Sequence, residues 1–149
     1  MKVVIFGSKG YMGQYFLTLY PDAATPSVDI ADIRAVGEVL DSEKPDVVIN
    51  CAGKTGRPNV DWCEDHKEET IHSNVVGPLV LVEECNKRNI YFVHLGTGCV
   101  YSGDCSTPFS ETDAPNFFGS FYSRSKGLID QLLNDFPVLN IRLRMPFDG

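Results

Sequence analysis

The first stretch of the chain is its strongest constraint. Val3-Val4-Ile5-Phe6 runs directly into Gly7-Ser8-Lys9-Gly10-Tyr11-Met12-Gly13. A short apolar run without a polar face, rich in β-branched residues, reads as a buried strand of a parallel sheet. The glycines allow a tight turn, and a helical pattern through Phe16, Leu17 and Leu19 follows. Strand, glycine loop and helix in this order is the context a dinucleotide site requires. The backbone can approach a pyrophosphate, and the helix N-terminus presents free N–H groups to it. An ordinary glycine-rich turn is the alternative.

The same alternation continues down the chain. Residues 23–25 offer at most a short second strand. Asp29 or Asp32 is placed to cap a helix over residues 33–41, with Ile33, Val36, Val39 and Leu40 inward and Lys44-Pro45 as its stop. Asp46-Val47-Val48-Ile49-Asn50 reads as another buried strand, with small Cys51, Ala52 and Gly53 at its carboxyl end. The polar loop 54–65 contains the only tryptophan, Trp62, and is either a site wall or a turn that buries Trp62 against the next helix. A helix is expected over residues 67–87, with Ile71, Val75, Leu79 and Val82 as its stripe. Asn74 lies between two stripe positions, as a satisfied interior amide or a polar group facing the site. Residues 91–95 form a strand in which His94 is read as structural, leading to Gly96-Thr97-Gly98-Cys99. A turn-rich loop over residues 102–118, a helix and a last strand over residues 138–143 complete the chain. The expected fold is α/β, a Rossmann-type doubly wound parallel sheet with helices on both faces, formed by residues 1–149 as one domain. Ligands of such sheets bind at the carboxyl ends of the strands.

Phe121-Tyr122-Ser123-Arg124-Ser125-Lys126 opens the last helix, whose apolar pattern runs through Leu128, Ile129, Leu132 and Leu133. Residues four apart share a helical face, so Tyr122 and Lys126 are expected to point the same way. A fixed cation beside the phenol would favour the phenolate and bring its proton within reach of neutral pH. The alternative is a surface lysine lying over a tyrosine ring.

Composition removes several other readings. The chain is 43% hydrophobic, 22% charged and carries a formal charge of −7, which suits a folded domain and not a nucleic-acid or anionic-membrane partner. No apolar run approaches the ~20 residues of a membrane span, and the start does not resemble a signal peptide. Five cysteines without a Cys-x-x-Cys pair argue against a disulfide framework and a zinc site, leaving no expected metal and a cytosolic location with reduced thiols.

Together, the glycine loop, Asn74-Val75-Val76-Gly77, the Thr after the fourth main strand and Tyr-x-x-x-Lys resemble the extended short-chain dehydrogenase/reductases. Thr55-Gly56-Arg57-Pro58-Asn59-Val60-Asp61-Trp62-Cys63-Glu64 is similar to the signature loop of the nucleotide-rhamnose synthase epimerase/reductases. Asn116-Phe117-Phe118-Gly119-Ser120-Phe121-Tyr122-Ser123 and Arg142-Leu143-Arg144-Met145-Pro146 are similar to later segments of the same enzymes, related to the dTDP-4-dehydrorhamnose reductases. The resemblance implies Tyr122 as proton donor to a reduced carbonyl and Lys126 as holder of the nicotinamide ribose. It makes Thr97 a second donor to the carbonyl oxygen and Cys99 an acid/base for epimerisation. Gly7, Lys9, Gly10, Tyr11, Met12 and Gly13 match the pyrophosphate loop, and Asp29 and Ile30 the adenine contact. Cys51, Ala52 and Gly53 match the segment beside the cofactor, with Asn74 near it. Arg57, Asn59 and Arg144 fall where substrate contacts are expected.

The implied reaction is 3,5-epimerisation and 4-reduction of a UDP- or dTDP-linked 4-keto-6-deoxy-glucose, giving a nucleotide-L-rhamnose. NADPH is the expected cofactor, with NADH accepted, and a homodimer is compatible with the class. The resembling enzymes continue well beyond this chain's length, so most of their substrate domain is expected to be absent here. A second reading is a non-catalytic dinucleotide-binding regulatory subunit, like the reductase-like subunit of methionine adenosyltransferase.

Overall fold

Among the described residues four strands, β1 (Val3–Phe6), β2 (Val47–Asn50), β3 (Tyr91–Thr97) and β4 (Val138–Leu143), lie parallel in the order β1-β2-β3-β4. The computed structural model describes residues 1–104, 106 and 108–146; Cys105 and the end of the expected domain, residues 147–149, lie outside them. Val4 also bridges Ala24, so the segment at 23–25 supplies one bridge and no full strand. The chain therefore first passes to one side of β1 and then returns to pair β2 with it. A reversal of this kind opens a crevice at the carboxyl ends of the strands.

Side chains of β1 alternate between two cores, as the period of a strand requires. Val4 and Phe6 pack with Val36 and Leu40 of α2 (Ile33–Glu43), Leu81 and Val82 of α5 (Gly77–Lys87), and Ile129 and Leu133 of α6 (Phe121–Leu133). Val3 and Ile5 pack with Ile49 and Val93 on the other face, against Phe16 and Leu17 of α1 (Tyr11–Leu19). Helices thus cover both faces. Asp32 caps α2, its Oδ1 accepting the N–H groups of Arg34 at 3.0 Å and Ala35 at 3.2 Å. Lys44, left-handed at φ 47°, ends it ahead of Pro45.

Several expected inward positions face out. Ile33 begins its helix ahead of the packed face and Leu19 ends its own beyond it; both are exposed. Leu128 and Leu132 are exposed as well, because the inward face of α6 consists of Tyr122, Ser125, Lys126, Ile129, Asp130 and Leu133. Half of that face is polar, and an apolar pattern alone picks its neighbours. The expected helix over 67–87 is three segments: α4 (Lys67–Ile71), a π-helical turn (His72–Val76) and α5. The i→i+5 register of the π turn shifts the downstream face. Leu81, Val82 and Cys85 are buried, and Leu79 lies at the margin. Trp62 opens a short helix, α3 (Trp62–Asp65), and stacks on His66 at 3.8 Å, half-buried.

Candidate active site

Two clefts lie along the carboxyl edge of the sheet and share Cys51, Ala52 and Gly53 as a common wall. The first, of about 350 Å³, is bordered by Gly7, Lys9, Gly10, Asp29 and Ile30. The approach is close because Gly7 has φ 77°, and a Cβ on it would sit 2.4 Å from Ala52 N. A Cβ on Gly13 would sit 2.3 Å from the Gly7 carbonyl oxygen. Gly13 is thus the packing contact between α1 and the loop, not a cleft residue. The N-cap of α1 is Gly10, without a side-chain hydrogen bond and without an acid in the first turn. The positive end of its dipole suits an anion, which fits a dinucleotide's pyrophosphate. Tyr11 is half exposed on the first turn and borders neither cleft, while Met12 borders the second.

The second cleft, of about 320 Å³, brings together Thr97, Cys99, Tyr122 and Lys126, with Asn74 on its wall. β3 runs two residues further than the sequence pattern indicates, so Thr97 is its last residue. Thr97 Oγ1 accepts the Cys99 N–H at 3.1 Å, and Thr97 and Tyr122 border the same cleft. Ser123 Oγ donates to Cys99 O at 3.0 Å, fastening the turn to α6. Ser120 caps α6 by accepting the Ser123 N–H at 3.1 Å.

Tyr122 and Lys126 do share the inward face, but the expected lowering of the phenol is overturned. Burial raises the Tyr122 pKa above its usual value, and the nearby Thr97 side chain opposes this only in part. The reason is geometric. Lys126 Nζ is turned to β3, 3.2 Å from His94 Nε2 and donating to Leu95 O at 3.1 Å. Burial pulls the amine down to about 8, Asp130 opposing. The Cys51 thiol, on the shared wall, is pushed up to about 12 by burial and stays protonated.

Asn74 is a satisfied interior amide. Its Oδ1 accepts the Lys54 N–H at 2.7 Å, and its Nδ2 donates to Lys54 O at 2.8 Å and Ser125 Oγ at 3.4 Å. It pins the loop after β2 to α6 from within the π turn. Arg57 and Asn59 are exposed on that loop and border neither cleft, though their neighbours Thr55 and Val60 border the second. Arg144 is exposed beside the Cys99 turn, its Cβ 3.0 Å from where a Cβ on Gly98 would lie. Both oxygens of Asp29 already accept bonds, from the Ala31 N–H at 2.9 Å and from His72 Nε2 at 2.8 Å. Sequence reasoning did not single out Asn50 and read His94 as structural; both are buried and paired in register, and His94 touches Lys126. Their signal was a polar residue at one level of two adjacent buried strands. Among the described residues no cluster of metal-ligating side chains is present, and no helix is long and apolar enough to cross a membrane.

A glycine loop and a Tyr-x-x-x-Lys cleft on the carboxyl edge of one parallel sheet define a Rossmann-type domain of the extended short-chain reductase class. The chain belongs to the RmlD substrate-binding domain family, whose profile matches residues 1–142. It is 39% identical over 170 residues to a trifunctional UDP-glucose 4,6-dehydratase/UDP-4-keto-6-deoxy-D-glucose 3,5-epimerase/UDP-4-keto-L-rhamnose-reductase of Arabidopsis thaliana, covering 100% of this chain and 24% of that protein. It is 43% identical over 127 residues to a bifunctional dTDP-4-dehydrorhamnose 3,5-epimerase/dTDP-4-dehydrorhamnose reductase of the same plant, covering 80% of this chain and 42% of the relative. The crystal structure of the L780 UDP-rhamnose synthase from Acanthamoeba polyphaga mimivirus superimposes with a TM-score of 0.90 at 37% identity, covering 99% of this chain and 57% of that one. A dTDP-4-dehydrorhamnose reductase from Bacillus anthracis, solved in complex with NADP, has the same fold (TM-score 0.85, 24% identity, 97% of this chain and 54% of that one). The chain thus spans between a quarter and somewhat over half of these relatives' lengths.

Proposed function

We propose that the chain is the cofactor-binding and catalytic half of an NADPH-dependent 3,5-epimerase/4-reductase acting on a UDP- or dTDP-linked 4-keto-6-deoxy-glucose. The observation that carries this is the convergence of Thr97, Cys99, Tyr122 and Lys126 on a cleft that shares its wall with the glycine-loop cleft. Product analysis by mass spectrometry with both keto sugars tests it, using a polypeptide that includes the substrate half of the longer relatives. Absence of any rhamnose product with either sugar rejects it.

Gly7, Lys9, Gly10, Cys51, Ala52 and Gly53 hold the dinucleotide, which supplies a hydride when bound. Tyr122, a phenol whose pKa burial raises further, keeps its proton at neutral pH and meets the ketone as an acid. Thr97, on the same cleft, offers its hydroxyl as a second hydrogen bond at the same oxygen. The C4 ketone acidifies the protons on C3 and C5, and Cys99 exchanges them. Cys51 does not serve, since its thiol is held in the protonated form. Cys99→Ser should slow solvent-deuterium exchange at C3 and C5 by roughly 10²–10⁴-fold with cofactor affinity little changed. Undiminished exchange removes Cys99 from the mechanism.

The cofactor preference follows from Lys9 and Asp29. An acid near this place commonly holds a ribose 2′-OH and repels a 2′-phosphate. Here the Asp29 carboxylate is already engaged by Ala31 and His72, while Lys9 is exposed at the cleft. A charge-assisted bond to a 2′-phosphate contributes about 1.5–3 kcal/mol, roughly ten- to a hundredfold in affinity. Fluorescence titration of Lys9→Ala should show that loss for NADPH and little change for NADH. Equal losses would make Lys9 a solvated loop charge and return the ribose to Asp29.

A further inference from the structure

Asn50 and His94 occupy buried positions in neighbouring strands, paired in register. Asn50 is oriented by the backbone: its Oδ1 accepts the Ala52 N–H at 3.0 Å, and a backbone N–H can only donate. Its Nδ2 is therefore the atom 3.1 Å from His94 Nδ1. An amide NH₂ also only donates, so Nδ1 carries the lone pair and a neutral ring bears its proton on Nε2. The ring is neutral, since burial, and secondarily Lys126, hold its pKa well below the usual value. Nε2 lies 3.2 Å from Lys126 Nζ. An N–H aimed at an ammonium finds no acceptor; aimed at an amine it finds a lone pair. In either state the lysine keeps a donor for Leu95 O.

We propose that Asn50 and His94, through the tautomer they fix, favour the neutral amine of Lys126, with His94 as its positioning residue. Burial acts in the same direction. The charge that favours the ammonium is Asp130, also on α6. Its carboxylate is already taken by Arg142 Nε and Nη2 and Asn140 Nδ2, at 2.7–2.8 Å. Tyr122 and Cys99 border the same cleft, as does Cys51, a neutral thiol. For the reductase reading proposed above, on which this consequence rests, Tyr122 shares its cleft with an amine whose charge is conditional. The charge appears as pH falls through the lysine's pKa and is lost as pH rises.

The test is a ¹³C NMR titration of the Lys126 Cε in the lysine-labelled 149-residue chain, assigned with Lys126→Arg. The Lys126 midpoint is expected about two units or more below the ordinary lysine value of about 10.4. Asn50→Asp puts an acceptor at Nδ1, moves the ring proton there and turns the Nε2 lone pair to the amine. The midpoint should then rise by about one unit or more. That rise should shrink when His94→Phe is added, since the new charge remains and the tautomer does not. An ordinary midpoint in the wild-type chain overturns the proposal, as does an Asn50→Asp shift unaffected by His94→Phe. Neither result depends on turnover, so the reductase reading stands or falls separately.

Discussion

Tyr122→Phe should reduce the rate of ketone reduction roughly 10²–10⁴-fold, the usual value of a positioned general acid. The measurement is NADPH oxidation by a polypeptide that also carries the substrate half of the longer relatives. The substitution keeps the buried ring and removes one hydroxyl. What is lost structurally is one hydroxyl at the cleft beside Thr97, so folding should be nearly intact. The pH dependence follows from the direction of the shift. A phenol raised by burial holds its proton through neutral and mildly alkaline pH and loses donor activity only as pH passes its elevated pKa. An acid limb from Tyr122 is therefore not expected, and any loss of rate closer to neutrality belongs to Lys126. Reduction surviving within about threefold would take Tyr122 out of the donor role.

The fold was legible where side-chain chemistry and local structure agree. Val3 to Phe6, Val47 to Asn50 and Val138 to Leu143 are apolar enough to be strands and nothing else, and Asp32 and Lys44-Pro45 bound α2 as their chemistry dictates. It was less legible where burial and polarity part company. On α6 the face toward the sheet carries Ser125, Lys126 and Asp130 among its buried positions. A search for apolar periodicity there finds Leu128 and Leu132, which face out. The π turn is equally silent in sequence; from within it Asn74 accepts the Lys54 N–H across the site.

The membership of the site was legible from Tyr-x-x-x-Lys and Thr97-x-Cys99, all four of which border one cleft. Its electrostatics were not. Spacing along a helix shows which side chains share a face, but not where a flexible lysine sends its terminal nitrogen. Lys126 reaches past the phenol to His94 and Leu95, and each group's own burial sets the direction of its pKa shift. Asn50 and His94 carried a readable clue: two polar groups at one level of adjacent buried strands must satisfy each other or something else nearby.

Asp130 provides the largest stability effect expected of a single substitution here. It is buried at the inward face of α6 and accepts from Arg142 Nε, Arg142 Nη2 and Asn140 Nδ2, which joins that helix to β4. The Arg142 side chain is itself only 15% exposed. Asp130→Ala leaves this guanidinium without its counter-charge and strands the Asn140 donor. Breaking one side of a buried pair costs about 3–5 kcal/mol, against a total of about 5–15 kcal/mol for a typical domain. The urea midpoint should fall steeply with an unchanged slope. Replacing both partners, as Asp130→Leu with Arg142→Met, should recover most of the loss, because desolvation then no longer opposes burial. Asp130→Ala should also lower the Lys126 midpoint, since Asp130 is the charge that favours its ammonium. A loss below about 1 kcal/mol would mean that Arg142 reaches solvent at little cost, and the pair would then have to be treated as a surface contact.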